Sequence, residues 1–383
     1  MSKYNFDKII NRFKTDSIRW DHYDSSVIPL WVADMDFESP PCVLKAMKDR
    51  VDHGIFGYTH APKDFKKSIA DYVRKHYDWE VDPDWIVIIP SVVSALYSIG
   101  ISCAKSTSHI ITPQPIYHHL RLAAAESGRN FNEAQLETIN NRQILSPKGL
   151  NEAVNNYYHQ NSELLYFCNP HNPGGTVYKI NELTKVVDFC NKNDLFICSD
   201  EIHAGMVLDD HKHIPIASIS EEAANRTITL MSLNKTFNFP GAGLGWMICK
   251  NNNLRQLASH KIGTLIPYPE IFGYVATDAA IKDGEEWRLA LLDYLTQNRK
   301  LLIEKINQIP GLRLYDIEAS YLGWISCENL PVKNPHQLFI DYGVALQPGY
   351  MFNQSDHVRI NIATPYSLLK EALDRMEKAV KSI

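Results

Sequence analysis

A lysine, a carboxylate and a carboxamide stand at the exits of three separate apolar runs in this 383-residue chain. Lys235 lies in Ser232-Leu-Asn-Lys-Thr-Phe237, directly after Thr227-Ile-Thr-Leu-Met231. Asp200 lies in Ser199-Asp-Glu-Ile-His203 after Leu195-Phe-Ile-Cys198, and Asn172 in Asn169-Pro-His-Asn-Pro-Gly-Gly175 after Leu164-Leu-Tyr-Phe167. Ligands of α/β sheets bind outside the carboxyl ends of parallel strands. If the three runs are neighbouring strands, one crevice receives all three groups.

The chemistry of the set is specific. A lysine amine forms a Schiff base with an aldehyde and, once freed, moves a proton at a substrate Cα. A carboxylate facing a pyridinium nitrogen keeps the ring protonated, and an amide donates to a phenolic oxygen. Pyridoxal phosphate has all three features, and it is the cofactor expected here. Each residue also has a plainer reading. Lys235 is otherwise a surface lysine, Asp200 a helix N-cap, and Asn172 a turn residue in a strong turn sequence.

Further residues fit the same site. Ser232 can donate to a phosphate, and Gly241-Ala-Gly-Leu-Gly245 permits close backbone approach. Ser91, Val92 and Val93 open a helix after Ile86-Val-Ile-Ile89, so their backbone N–H groups can face an anion. Tyr117 can stack on a cofactor ring or serve the core. Arg359, inside the apolar pattern Val358-Arg-Ile-Asn-Ile362, needs a partner: a substrate carboxylate, or a structural Asp or Glu.

These groups have to be held by strands buried on both faces. Continuous β-branched runs alternating with helix-like stretches predict a mainly parallel sheet with covering helices. From about Asp283 the character changes to a long amphipathic helix from Gly284 to Leu302, strand-like Tyr321-Leu-Gly-Trp-Ile-Ser326 and His357–Ile362, and a charged terminal helix. This predicts a smaller α+β domain.

Bulk properties exclude several classes. Apolar content of 45% and charged content of 22% are those of a soluble globular protein. A net charge of −5 without a basic block gives no reason to expect nucleic acid or an anionic membrane. No apolar run reaches the length of a spanning helix, and Met1-Ser-Lys-Tyr-Asn-Phe-Asp7 lacks an apolar signal core, so a cytoplasmic location is expected. Seven cysteines with no C-x-x-C pair read as buried free thiols. His211-Lys-His213 has no zinc-site spacing, and no metal is expected. Two glycosylation sequons, at Asn225 and Asn234, read as chance.

In this order the residues resemble the fold-type I pyridoxal-phosphate enzymes. More narrowly, the chain resembles the MalY/PatB cystathionine β-lyases, or cysteine-S-conjugate β-lyases. The narrower likeness rests on Trp31-Val-Ala-Asp-Met-Asp-Phe37, Phe56-Gly-Tyr58, Asn169-Pro-His-Asn-Pro173, Ser199-Asp-Glu-Ile-His203, Lys235-Thr-Phe-Asn238, Gly284-Glu-Glu-Trp287, Tyr321-Leu-Gly-Trp324 and Pro348-Gly349. It implies a large domain (residues 49–283) with a seven-stranded sheet, and a small domain built from residues 1–48 and 284–383. It implies a homodimer with shared active sites, with Tyr58 reaching across. Lys235 would carry the cofactor, Asp200 its ring nitrogen, Asn172 its phenolic oxygen and Tyr117 its stacking partner. Ser232 and the amides of Ser91–Val93 would hold phosphate, with His203 also at the cofactor. Arg359, Asp34 and Tyr58 would meet an amino-acid substrate. Many aminotransferases of the superfamily have a tyrosine where this chain has His203, which weakens a transaminase reading. β-Elimination is therefore the expected reaction, an aminotransferase the alternative. Binding of a transcription activator, as in some relatives, is a further role of another class.

Overall fold

The computed structural model describes residues 3–155 and 162–383; Met1 and Ser2 of the polar start lie outside them. Its centre is a seven-stranded sheet built from β1 (Ile86–Ile89), β2 (His109–Gln114), β3 (Asn130–Gln135), β4 (Ser162–Cys168), β5 (Phe196–Asp200), β6 (Thr227–Met231) and β7 (Gly245–Ile248). The order across the sheet is β1-β7-β6-β5-β4-β2-β3. Neighbours from β6 through to β3 pair in parallel, and β7 alone runs antiparallel, between β1 and β6. The fold is α/β, with the mainly parallel sheet that the sequence predicts and the seven strands that the resemblance implies.

The unbroken apolar runs follow from burial on both faces. Leu164 and Tyr166 of β4 join Cys198, Ile228 and Leu230 in one core, while Leu165 and Phe167 join Ile197 in another. Alternate side chains of a strand point to opposite faces, so a strand with two covered faces has no polar position to spare.

A second sheet is antiparallel throughout. It consists of β8 (Arg313–Leu314), β9 (Leu322–Ser326), β10 (Gln347–Pro348) and β11 (His357–Asn361), in the order β8-β9-β11-β10. The expected long helix is Glu285–Gln308, and the terminal one is Tyr366–Lys381. The N-terminal segment packs here too: Ile28–Pro29 pairs in parallel with Val344–Ala345, and the Asn361 N–H donates to the Leu30 carbonyl at 2.9 Å. Helix Pro41–His53 runs across the boundary expected at residue 48. The upper boundary meets Gly284, which separates Ile271–Asp283 from Glu285–Gln308. No described helix is long and apolar enough to cross a membrane.

Candidate active site

Asp200 is the last residue of β5 and pairs with Cys168 of β4 and Leu230 of β6. The run Leu195-Phe-Ile-Cys198 predicts a strand that stops short of it, whereas the strand includes it. No α-helix follows it directly; a short 3-10 turn begins at Ala204, so Asp200 is not an N-cap. Its Oδ1 accepts the Ile202 N–H at 3.2 Å, and the residue is 3% exposed. Burial pushes its carboxyl up to about 7, with Glu201 adding to the rise and Ile202 and Lys235 opposing it. An acid so placed holds its charge only if a cation or strong donor joins it.

Lys235 follows β6 in a turn and forms part of the wall of a cleft of about 740 Å³ together with Asp34 and Asn238. Its Nζ donates to the Ala33 carbonyl at 2.6 Å, and the Tyr321 hydroxyl donates to the same oxygen at 2.9 Å. Burial brings the ammonium down to about 8, with Asp34 and Asp200 opposing and Arg359 reinforcing that fall. A lysine near 8 supplies a sizeable neutral fraction at physiological pH, as a nucleophile and a base require.

Arg359 comes from β11, across the junction between the two sheets. It is 4% exposed, and no carboxylate among the described residues lies within ion-pair distance. Nη1 donates to Asn172 Oδ1 at 2.9 Å and Nη2 to the Trp31 carbonyl at 3.2 Å, while Nε has no partner. The guanidinium also lies 5.1 Å from the centre of the Phe352 ring. Burial lowers it to about 10, with Tyr117 and Tyr321 opposing. The structural Asp or Glu partner weighed from sequence is absent, so an anionic ligand fits the vacant Nε edge.

Asn172 accepts from Arg359, which fixes its amide with the NH2 group free to donate elsewhere. Its carbonyl takes the Tyr117 N–H at 2.9 Å, tying the Asn-Pro turn to the helix that begins at His118. Tyr117 is half-buried, and its phenol is pushed up to about 12 by burial, against the pull of Arg359. His203 is buried, with Nδ1 3.2 Å from Ser320 Oγ. Burial, then Lys235 and Arg359, bring it down to about 3, so it is neutral in this site.

Ser91 occupies the N-cap of helix Val92–Cys103 and makes no side-chain capping bond, so the first-turn amides of Val92 and Val93 are uncapped. A Cβ on Gly243 would come within 2.8 Å of the Pro90 carbonyl, so the two loops meet only because that position is glycine. Ser232 differs from expectation in detail: its hydroxyl donates to the Leu244 carbonyl at 2.5 Å and accepts from the Asn234 N–H. Its proton is thus engaged within the chain. Tyr58 is wholly exposed, in an apolar stretch with Ile55 and Phe56.

Asp34 is held by arginines that sequence reasoning passed over. Arg12 Nη2 binds its Oδ2 at 2.5 Å, and Arg19 Nη1 is 3.5 Å from Oδ1. Asp36 is bound by the same pair at 2.8 and 2.9 Å. Asn361 Nδ2 donates to the Val32 and Asp34 carbonyls, each at 2.6 Å. Arg359 and Asn361 alternate on one face of β11, a signal present in Val358-Arg-Ile-Asn-Ile362. Arg19, between Ile18 and Trp20, offered the same clue: a charge among apolar neighbours. All seven cysteines are free. Among the described residues, Glu328, Asp356 and His357 bring ligand atoms within 4.8 Å of one another, but Arg313 stands 3.7 Å from Glu328.

Residues 25–376 match the family of class I and II aminotransferases. The cystathionine β-lyase PatB of Bacillus subtilis is 28% identical over 98% of this chain and 100% of its own length. The crystal structure of OvoB superposes with a TM-score of 0.95 at 36% identity, covering 99% of this chain and 100% of that one. The pyridoxal-phosphate-bound C–S lyase of Staphylococcus hominis gives 0.89 at 27% identity, over 98% of each chain. The chain belongs to the class I and II aminotransferase family.

Proposed function

We propose that the protein is a pyridoxal-phosphate-dependent C–S β-lyase that cleaves L-cystathionine or a related cysteine S-conjugate to a thiol, pyruvate and ammonia. The observation that carries the reading is Arg359, a buried guanidinium without a counter-ion among the described residues, in one site with a lysine lowered to about 8.

The residues suit the cofactor. Asp200 is a buried acid with no cationic partner within ion-pair distance among the described residues, and the uncapped start of helix Val92–Cys103 suits a phosphate. Lys235 would hold the cofactor's aldehyde carbon, Asp200 its ring nitrogen, the Asn172 amide its phenolic oxygen and Tyr117 one ring face. His203, neutral and fixed by Ser320, would border it. When bound, pyridoxal phosphate supplies an electron sink that acidifies the substrate Cα–H.

The chain does the rest. Arg359 orients the substrate carboxylate through its free Nε edge, a charge-assisted contact. Lys235 Nζ, as the neutral amine, takes the Cα proton. The Cβ–S bond then breaks and the sulfur leaves as a thiolate; uptake of one water completes pyruvate and ammonia. Asp34, held in place by Arg12 and Arg19, would border the substrate, and its negative charge works against the fall of Lys235.

The reading extends to a homodimer in which Ile55, Phe56 and Tyr58 are covered by a second copy, bringing Tyr58 to that copy's site. The free thiols suit a cytoplasmic location. The test is pyruvate release from L-cystathionine with added pyridoxal phosphate and no keto acid. Release that disappears in Lys235→Ala supports the lyase. Amino transfer only when a keto acid is supplied would replace it with an aminotransferase.

A further inference from the structure

Helix His118–Glu126 opens with two adjacent histidines that are employed differently. His119 Nδ1 stands 3.1 Å from the Tyr97 hydroxyl, a contact within the large domain. His118 has no such use. Its Nδ1 is enclosed by the protein without a partner, while the ring as a whole is only partly buried. The open edge of the ring is therefore the Nε2 side. No carboxylate among the described residues lies within ion-pair distance of it, and nearby Glu133 is taken by Arg121 at 3.0 Å and by Asn353.

His118 lies beside the residues of the site. Its ring centre is 4.7 Å from that of Tyr117 and 6.4 Å from that of Phe352, to which it stands nearly perpendicular. Phe352 is the ring that carries the Arg359 guanidinium at 5.1 Å. Two nitrogen groups without partners, Arg359 Nε and the His118 ring, thus flank one aromatic side chain. Burial brings His118 down to about 4, with His119 and Arg359 adding to the fall. At physiological pH the ring is neutral, and a neutral imidazole carries its proton on either nitrogen. An anion at the open edge selects the Nε2–H form, which leaves the lone pair on the enclosed Nδ1.

We propose that His118 is a second binding residue for the substrate α-carboxylate, donating from Nε2 to the oxygen that Arg359 leaves open. The inference rests on the receptor role proposed for Arg359. A carboxylate has two oxygens and about four lone-pair sites, more than one guanidinium edge fills. Arg359 supplies the charge, and His118 adds a hydrogen bond to the same anion. Because the imidazole is neutral, that bond comes without a second buried cation beside the first. The contact is worth most to a full negative charge, so it favours a free α-carboxylate over its carboxamide.

Acetate is the probe in cofactor-free protein, titrated while 15N NMR follows the histidine and arginine side chains. Acetate is expected to move the His118 Nε2 signal to that of a protonated donor, and Arg359→Gln should abolish the movement. His118→Phe, which keeps a ring but no donor, should weaken acetate binding about tenfold at the Arg359 Nε–H signal. The second measurement is thiol release by the holoenzyme from S-benzyl-L-cysteine and from its α-carboxamide. His118→Phe should lower kcat/KM for the acid about tenfold, mainly through KM, and for the carboxamide less than about threefold. No binding of acetate, binding that leaves His118 unmoved, or equal losses on acid and carboxamide overturn the inference. If His118→Phe does not fold, the wild-type titration and its loss in Arg359→Gln still decide it. A wild-type holoenzyme that releases no thiol from any S-conjugate refutes the lyase reading, while the acetate titration judges His118 separately.

Discussion

Two clusters of charge touch the segment 31–36, and they are built on opposite principles. On one side Arg12 and Arg19 meet Asp34 and Asp36, and each guanidinium contacts both carboxylates. Arg19 is fully buried and also binds the Pro29 and Asp34 carbonyls. The acids outweigh burial there: Arg12 is held above its usual value. On the other side Arg359 is nearly as buried but meets an amide, a carbonyl and a ring. Among the described residues no carboxylate pairs with it. A paired buried arginine fixes a chain; an unpaired one, kept at a cost in stability, is on the proposed reading a receptor.

The contrast can be broken experimentally, and the largest effect belongs to the site itself. Lys235→Ala should lower pyruvate formation by at least about a thousandfold, since on the proposed reading it removes both the attachment point and the base. A variant with near-normal turnover would place the proton transfer elsewhere. Arg359→Gln should cost about 2–3 kcal/mol, on the order of a hundredfold in kcat/KM. Steady-state kinetics would show it mainly as a raised KM.

The unpaired acid and amine leave a pH signature of opposite signs. Asp200 is raised to about 7 in the folded state, so the folded chain binds more protons than the unfolded one between its ordinary acid range and 7. This contribution is therefore lost as pH rises through that window. Lys235 is lowered to about 8, so between there and its ordinary value the unfolded chain binds more protons and stability grows with pH. Melting curves of cofactor-free protein should show the Asp200 slope in wild type and a flatter one in Asp200→Asn. Equal slopes would mean that Asp200 is not raised. The smallest effect is expected from Tyr321→Phe. It removes one of two donors to the Ala33 carbonyl, about 0.5–1.5 kcal/mol, and should slow turnover by less than about tenfold.

The receptor side was the more legible in the sequence. Lys235, Asp200 and Asn172 each follow a continuous apolar run, and such runs mark strands buried on both faces. The scaffold side was harder. Arg12, Arg19, Asp34 and Asp36 act through contacts that depend on how an N-terminal segment without regular structure lies against β11, and no period encodes that. Strand β7 was equally hidden, because Gly245-Trp-Met-Ile248 follows a small-residue run that reads as a loop.

The claim that matters most is that Arg359 is a receptor and Arg19 a tie. It is tested by thermal unfolding of cofactor-free Arg359→Gln and Arg19→Gln beside wild type. Arg19→Gln should lose about 1.5–3 kcal/mol, since it removes charged contacts to Asp36 and two carbonyls while Arg12 stays on Asp36. Arg359→Gln should melt at or above wild type, since it removes an uncompensated buried charge. Arg359→Gln melting as low as Arg19→Gln would contradict the account.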